Sequence, residues 1–430
     1  MKETVQALTK RSKALYGSFS ENAKETIQAL KETLRALSAY SRARAQEIST
    51  SFYVVNGILL IIIVWAGYYW LRMLTVGAGI SGSSDAVPWG LFIVSFVFFV
   101  GASAGATIIG LMIYAFNRND YKPLGTRAIV VGILCLMAAV LNLTMDVGAP
   151  LRTLLIPWFL RNMSSMLIYT TTTYFLFGSL LAAELYFALK IALGSKDERD
   201  KKIARWLAIF AVPFALIILV ATEGVLFAVV KARELWHTTL LPPHFAVSAL
   251  VTGTSIMILL PILTAKVVKR EIVGLGTLDH LGKLLAYFIA ITIFMDFFDL
   301  FVLKYSEEPE GLEILHLLTG RFSVLFVLNA GGLLAALIIL MSKKGRTVRG
   351  LTIVATVALV AVMAYRYILI VVAQMAPLYP WQPEIYYYPT FPEVTIEVAI
   401  IALVVLLYTM LTTFLPMEET VRKRSSTSIT

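Results

Sequence analysis

The 430-residue sequence predicts an all-α fold, that of a polytopic integral membrane protein with about ten transmembrane helices. Three observations carry this. Hydrophobic residues make up 58% of the chain and charged residues only 15%, too little polar surface to coat a water-soluble globule of this size. The apolar residues lie in long runs separated by short charged segments, and in hydrocarbon only a helix or a closed barrel satisfies its own backbone groups. Runs of about 20 residues or more select helices, because barrel strands alternate over roughly 10.

Taken in order, residues 1–51 form a charged extension in which Ile27, Leu30, Leu34 and Leu37 recur at helical spacing. That pattern predicts one amphipathic helix, lying on the inner leaflet or docking a partner. Spans are expected at about 52–76, 89–116, 127–148, 165–190, 204–230, 243–267, 281–303, 321–342, 350–374 and 394–416. The run from Phe52 is long enough to span and follows a charged segment, so it reads as a retained helix and not a cleavable signal. Leu143 to Asp146 reads Leu-Thr-Met-Asp and Ile293 to Asp296 reads Ile-Phe-Met-Asp, each late in its span, a faint sign of duplication. The organisation predicted is a peripheral first span with its loop (52–88), two four-helix bundles (89–230 and 231–374), then an aromatic loop with the last span (375–416). Residues 417–430 form a cytoplasmic tail.

The net charge of +10 points to topology and the lipid bilayer, not to nucleic acid, because of where the charges lie. With the amino terminus inside, the four inward loops hold seventeen Lys and Arg and the five outward loops only Arg152, Arg161, Lys231, Arg233, Lys304 and Arg321. This bias predicts a cell-membrane protein with both termini cytoplasmic. The single cysteine, Cys135, lies inside an apolar run, so neither a disulfide nor a cysteine-ligated cluster can be built from this chain alone.

Ionisable groups at membrane depth cost about 2.5–3.5 kcal/mol each on insertion scales and so need a partner or a purpose. Asp146 ends span three, Glu184 lies toward the inner end of span four, and Glu223 lies in the outer part of span five. Asp296 and Asp299 share a face of span seven, Arg366 lies in the outer half of span nine, and Glu397 lies just inside span ten. All except Glu184 sit in the outer half, which predicts a polar site opening outward, with Glu184 as a step on a route from the cytoplasm. An ion pair of Arg366 with Asp296 or Asp299, locking two helices together, is the structural alternative. The cation Arg152 and the amphipathic run Leu154 to Arg161 follow Asp146 and would wall a pocket there.

The loop after span five carries Arg233, Trp236 and His237, residues of the type that holds a quinone head: donors for carbonyl oxygens, a proton carrier and an aromatic plane. Anchoring at the headgroups is the alternative. The four histidines, His237, His244, His280 and His316, read as loop or span-end residues, with no facing pair at membrane depth to clamp a haem, so no haem and no metal are expected in this chain. Residues 376–392 are rich in Tyr, Trp and Pro, as a lid, a docking surface or an interfacial belt.

Five pieces in order resemble the NrfD/polysulfide reductase family of membrane subunits, which includes the membrane subunit of the group-two hydrogenase of enteric bacteria. They are Pro88-Trp-Gly-Leu-Phe92 with the Gly101–Gly105 patch; Tyr114-Ala-Phe-Asn-Arg118 with Tyr121-Lys-Pro-Leu124; Asp146-Val-Gly-Ala-Pro150 with Arg152; Ala232-Arg-Glu-Leu-Trp236 with Leu241-Pro-Pro243 and Ser248-Ala249; and Tyr388-Pro-Thr-Phe-Pro-Glu393. The resemblance implies two four-helix bundles without haem and a menaquinone-like quinone oxidised or reduced near the outer face. It also implies a four-cluster ferredoxin-like iron–sulfur subunit and a molybdopterin or hydrogenase catalytic subunit on that face. By position, Asp146 and Arg152 would border the quinone pocket, Arg233 and Trp236 would line the loop beside it, and Glu393 would start the last span. The hydrogenase-type members carry histidine and glutamine where this chain has Thr222 and Glu223, and the 50-residue extension falls outside the resemblance.

The function expected is therefore that of the quinone-reactive subunit of a respiratory oxidoreductase, of sulfur or polysulfide reductase type. Asp146 and Glu223 would take protons, and Glu184, Asp296, Asp299 and Arg366 would form a proton pathway. A secondary transporter, with its site at the bilayer midplane, and a passive membrane anchor are the rival readings.

Overall fold

The computed structural model describes residues 28, 30–46, 48–115, 122–147, 166–195, 197–269, 271–377, 379 and 381–417. Arg152, Arg161 and the run from Leu154, most of the 114–124 motif, and the carboxy-terminal tail lie outside the described residues. Among the described residues every regular element is helical, and ten helices are long and apolar enough to cross a membrane. They are Thr50–Val76, Leu91–Met112, Leu124–Asp146, Ile168–Ala192, Glu198–Ala228, Leu241–Val268, Leu275–Tyr305, Ser323–Met341, Val348–Met375 and Phe391–Phe414, taken in turn as spans one to ten. Spans five and seven start at Glu198 and Leu275, about a turn and a half before their apolar runs, because hydropathy registers only the part of a helix that lipid covers. Asp197 caps span five by accepting from the Arg199 amide at 2.9 Å, and Thr390 and Glu393 form a reciprocal capping box on span ten.

Spans two to five close into one four-helix bundle, and spans six to nine close into a second. Span two of the first packs along span six of the second, and span ten lies against spans one and three at the periphery. This is the architecture of two four-helix bundles with peripheral helices that the sequence predicts. The bundles meet where Gly105 and Gly253 oppose each other: a Cβ on either glycine would collide with backbone of the opposite helix. Small residues let helices approach this closely where apolar area gives no driving force within lipid.

Successive spans alternate in direction. The loops 77–90, 229–240, 306–322 and 376–390 gather at one end, the distal end, where Gly82 bonds Glu393 and Trp89 bonds Gln374. The opposite, proximal end carries the amino-terminal helix over residues 30–45, joined to the core by Ser41 Oγ donating to the Phe414 carbonyl at 3.0 Å. Ser49 Oγ donates to the Val267 carbonyl at 2.8 Å in the same region. Leu30 and Leu34 on that helix stay exposed. Three spans contain π-helical turns: Ile217–Gly224 in span five, Val327–Gly331 in span eight and Ile368–Val372 in span nine. Such turns hold an extra residue and rotate the side chains beyond them about the helix axis.

Candidate functional site

Two of these π turns flank the principal buried charges. Glu223 lies within the one in span five and Arg366 just ahead of the one in span nine, and each is 1% exposed. Arg366 therefore projects from the second bundle and Glu223 from the first, and the two lie within electrostatic reach of each other at the seam. Tyr174 of span four donates to Glu223 Oε1 at 3.2 Å, while among the described residues Oε2 has no hydrogen-bond partner. Arg366 Nη2 donates to Ser248 Oγ at 2.6 Å, and among the described residues its Nε and Nη1 have no hydrogen-bond partner. The guanidinium lies over the Phe245 ring at 4.1 Å and near the Tyr365 ring at 5.5 Å.

A second cluster adjoins this one. His244 Nε2 lies 2.6 Å from Asp296 Oδ1, and the imidazole packs on Tyr365 with centroids 4.4 Å apart. Thr238 Oγ1 donates to Asp299 Oδ1 at 3.4 Å. Arg366 thus meets Ser248 instead of bonding either aspartate, and the aspartates find His244 and Thr238. The helix-locking ion pair weighed from the sequence is replaced by a string of groups from spans four, five, six, seven and nine.

Aromatic planes cover the distal side of the string. Trp89 and Trp236 stack at 5.4 Å, Phe227 meets both edge-on, and Phe227 stacks on Phe245 at 6.0 Å, next to Arg366. Trp236 is held by its Nε1–H donating to the Leu369 carbonyl at 2.5 Å, a carbonyl within the span-nine π turn. Gln374 fixes Trp89 from two sides, accepting from its amide at 3.2 Å and donating to its carbonyl at 2.9 Å.

The remaining sequence candidates divide by place. Arg233 donates to the Ala376 carbonyl at 2.6 Å and pairs with Glu310 at 3.6 Å, so it ties three distal loops together. Burial lowers the Arg233 value and raises that of Glu310 above the usual carboxylate range, and the pairing opposes both shifts. His237 is exposed, its Nδ1 2.7 Å from the Ala228 carbonyl at the end of span five. Asp146 ends span three half-buried, within electrostatic reach of Glu393, which accepts from Gly82 N at 3.0 Å, Thr390 N at 2.7 Å and Tyr387 OH at 2.9 Å. Glu184 is buried nearer the proximal end and makes no hydrogen bond among the described residues. Glu397 is buried at the start of span ten, with Ser95 of span two beside its carboxyl.

The structure therefore gathers Glu223, Asp296, Asp299, Arg366 and Trp236 at one seam, and adds Tyr174, His244, Ser248, Phe245 and Trp89. His244 had a signal in the sequence: Pro242 and Pro243 fit the first turn of a helix, so span six begins at Leu241 and carries the histidine a turn inside its end. Among the described residues no group of three or more His, Cys, Asp or Glu could hold a metal ion. Among the described residues the seam presents donors on Arg366 and a carboxylate oxygen on Glu223 without hydrogen bonds, and flat aromatic walls. Leaving such groups unmatched costs about 1–3 kcal/mol apiece, which a polar ligand could recover.

These features define a class, a ten-span helical membrane protein with ionisable groups buried between two four-helix bundles. The profile of the family Polysulphide reductase, NrfD matches residues 79–377, and the chain belongs to that family. It is 28% identical over 389 residues to a selenate reductase subunit of Mesobacillus selenatarsenatis, covering 80% of this chain and 89% of that protein. It is 26% identical over 327 residues to the Hdr-like menaquinol oxidoreductase integral membrane subunit of Archaeoglobus fulgidus, covering 74% of this chain and 79% of the relative. It is 25% identical over 375 residues to the integral membrane subunit of the menaquinone reductase of Nitratidesulfovibrio vulgaris, covering 82% and 88%.

Proposed function

We propose that this chain is the quinone-reactive membrane subunit of a respiratory oxidoreductase of sulfur or polysulfide reductase type, with the distal end facing outward and both termini cytoplasmic. The observation that carries the reading is the pairing of unmatched polar atoms with aromatic planes at one seam: Glu223 Oε2 and Arg366 Nε and Nη1 beside Phe245, Phe227 and Trp236. A quinone head has two carbonyl oxygens and a flat ring, and the residues present fit it. When bound, it would supply two-electron, two-proton redox chemistry.

The chain's own groups supply the rest. Arg366 Nε and Nη1 donate toward a carbonyl oxygen, held in aim by Ser248 and Phe245. Glu223 Oε2 accepts or returns a proton, and Tyr174 orients the carboxyl from the other oxygen. The aromatic planes exclude water from the seam. His244 and Asp296, with Asp299 behind Thr238, give the proton further stations in the second bundle. Asp146 borders the pocket at the end of span three, and Glu184 gives access from the cytoplasmic side. Arg233, together with His237, shapes the outer loop over the seam.

Electrons pass to or from a four-cluster ferredoxin-like iron–sulfur subunit, which serves a molybdopterin or hydrogenase-type catalytic subunit on the outer face. The names of the relatives, two of them menaquinone or menaquinol enzymes, support this assignment. Purification of the chain from its native membrane tests it. An iron–sulfur polypeptide should co-elute, and organic extraction should release a naphthoquinone in near-stoichiometric amount. A chain that elutes without either, yet drives solute uptake in vesicles, contradicts the reading and favours a transporter.

A further inference from the structure

At the proximal end, away from the seam, the end of span six and the start of span seven enclose a cleft of 380 Å³. This volume falls in the ~300–1,000 Å³ range of small-molecule sites. Its floor is apolar: Pro261 and Ile262 of span six, Val273 of the connecting loop and Leu278 of span seven. Pro261 lacks an amide donor and interrupts the hydrogen-bond ladder of span six, where a helix would otherwise pack without a gap. The lips are apolar and exposed, with Leu275 at 50% and Val348 at 39%.

The rim is different. Lys266 stands in the last turn of span six and Lys269 follows at its carboxy-terminal cap, where the backbone turns into the left-handed region (φ 56°). Both lysines are exposed, and among the described residues neither side chain has a hydrogen bond or ion pair. Glu271 also lines the cleft, so the rim carries two positive charges against one negative. An apolar cleft open to the bilayer, with unpaired ammonium groups at the level where helices leave it, matches a ligand of the same polarity: an acyl chain ending in an anionic head.

We propose that this cleft binds an anionic phospholipid, with an acyl chain in the Pro261–Ile262–Leu278 floor and its phosphate between Lys266 and Lys269. The amphipathic order of the site selects a lipid over a soluble anion, because the lysines alone would hold phosphate without any use for the apolar floor. The assignment does not depend on what the seam between the bundles binds.

Native mass spectrometry of the full chain in detergent tests it, with dioleoyl phosphatidylglycerol titrated against dioleoyl phosphatidylcholine. The wild-type chain should retain the anionic lipid in preference to the zwitterionic one. The variant K266Q/K269Q should lose about fivefold of that affinity per lysine removed, and Ala265→Trp, which fills the cleft, should lose binding of both lipids. The control K343Q/K344Q, in another loop at the same end, should bind as the wild type does. Equal retention of the two lipids by the wild-type chain overturns the proposal. So does an equal loss in the control, or displacement of the lipid by glycerol 3-phosphate at matching concentration.

Discussion

His244 is buried and pairs with the half-buried Asp296, the histidine Nε2 standing 2.6 Å from Oδ1, and this contact binds span six to span seven in the distal half of the second bundle. Each member keeps a spare atom: among the described residues His244 Nδ1 and Asp296 Oδ2 have no hydrogen-bond partner. A pair that served only to pin two helices would have no need of spare capacity on both sides. The arrangement suits a group that accepts a proton from one neighbour and yields it to another.

Removing either member should weaken the second bundle. A hydrogen bond to a charged group contributes about 1.5–3 kcal/mol, so His244→Ala and Asp296→Ala should each lower the thermal midpoint in detergent. The double variant should lose less than the sum, with a coupling of about 0.5–3 kcal/mol for residues in contact. Additive losses would mean that the pair does not act as a unit.

The approach of the two bundles should be sensitive to a single methyl group. At Gly253 an added Cβ would run into the backbone of Gly105 and Ala106, which cannot step aside as a side chain can. Gly253→Ala should cost about 1–3 kcal/mol by overpacking, and Gly253→Leu should prevent recovery of folded chain from detergent. Gly57, with open space around its Cα, is the control, and alanine there should be tolerated. Equal behaviour of the two alanine variants would contradict the packing.

The Arg233–Glu310 pair gives a pH dependence outside the membrane. Burial raises the Glu310 value in the folded chain above its ordinary 4.5, so the folded form favours the protonated acid. The resulting stability is complete below about 4.5 and is lost as pH rises through the higher folded value. Hydrogen exchange of the loops 229–240 and 306–322 should accordingly quicken across that window, beyond the intrinsic pH trend. Glu310→Gln should flatten the excess. An unchanged profile in that variant would assign the dependence to another group.

Much of this protein was legible from hydropathy and charge, and the reasons are physical. Lipid demands about 20 apolar residues per crossing, so each span declares itself, and the buried acids stand out within those runs because charge is costly there. What hydropathy leaves open is rotation about each helix axis. Arg366 could have met Asp296 as readily as Ser248 on spacing alone. The π turns of spans five and nine set the aim of what surrounds them, and an extra residue in a turn leaves no pattern in composition. His244 was hidden for a different reason: it stands at the very start of the expected span, where a histidine reads as a span-end residue, whereas the helix begins earlier, at Leu241, and buries it. Arg233 was legible as a cation at the distal end, but its use in tying the Ala376 carbonyl and Glu310 depends on how three loops fold over one another.

In the proposed function the Glu223 carboxyl exchanges a proton with a quinone head at the seam. Quinol-dependent electron transfer in the assembled complex carrying Glu223→Gln tests it most directly, since glutamine keeps the shape and the Tyr174 contact but cannot carry the proton. Turnover should fall by about 10²- to 10⁴-fold, the usual worth of a positioned acid or base, with the complex intact and its quinone retained. Turnover at the wild-type rate in that variant would contradict the account.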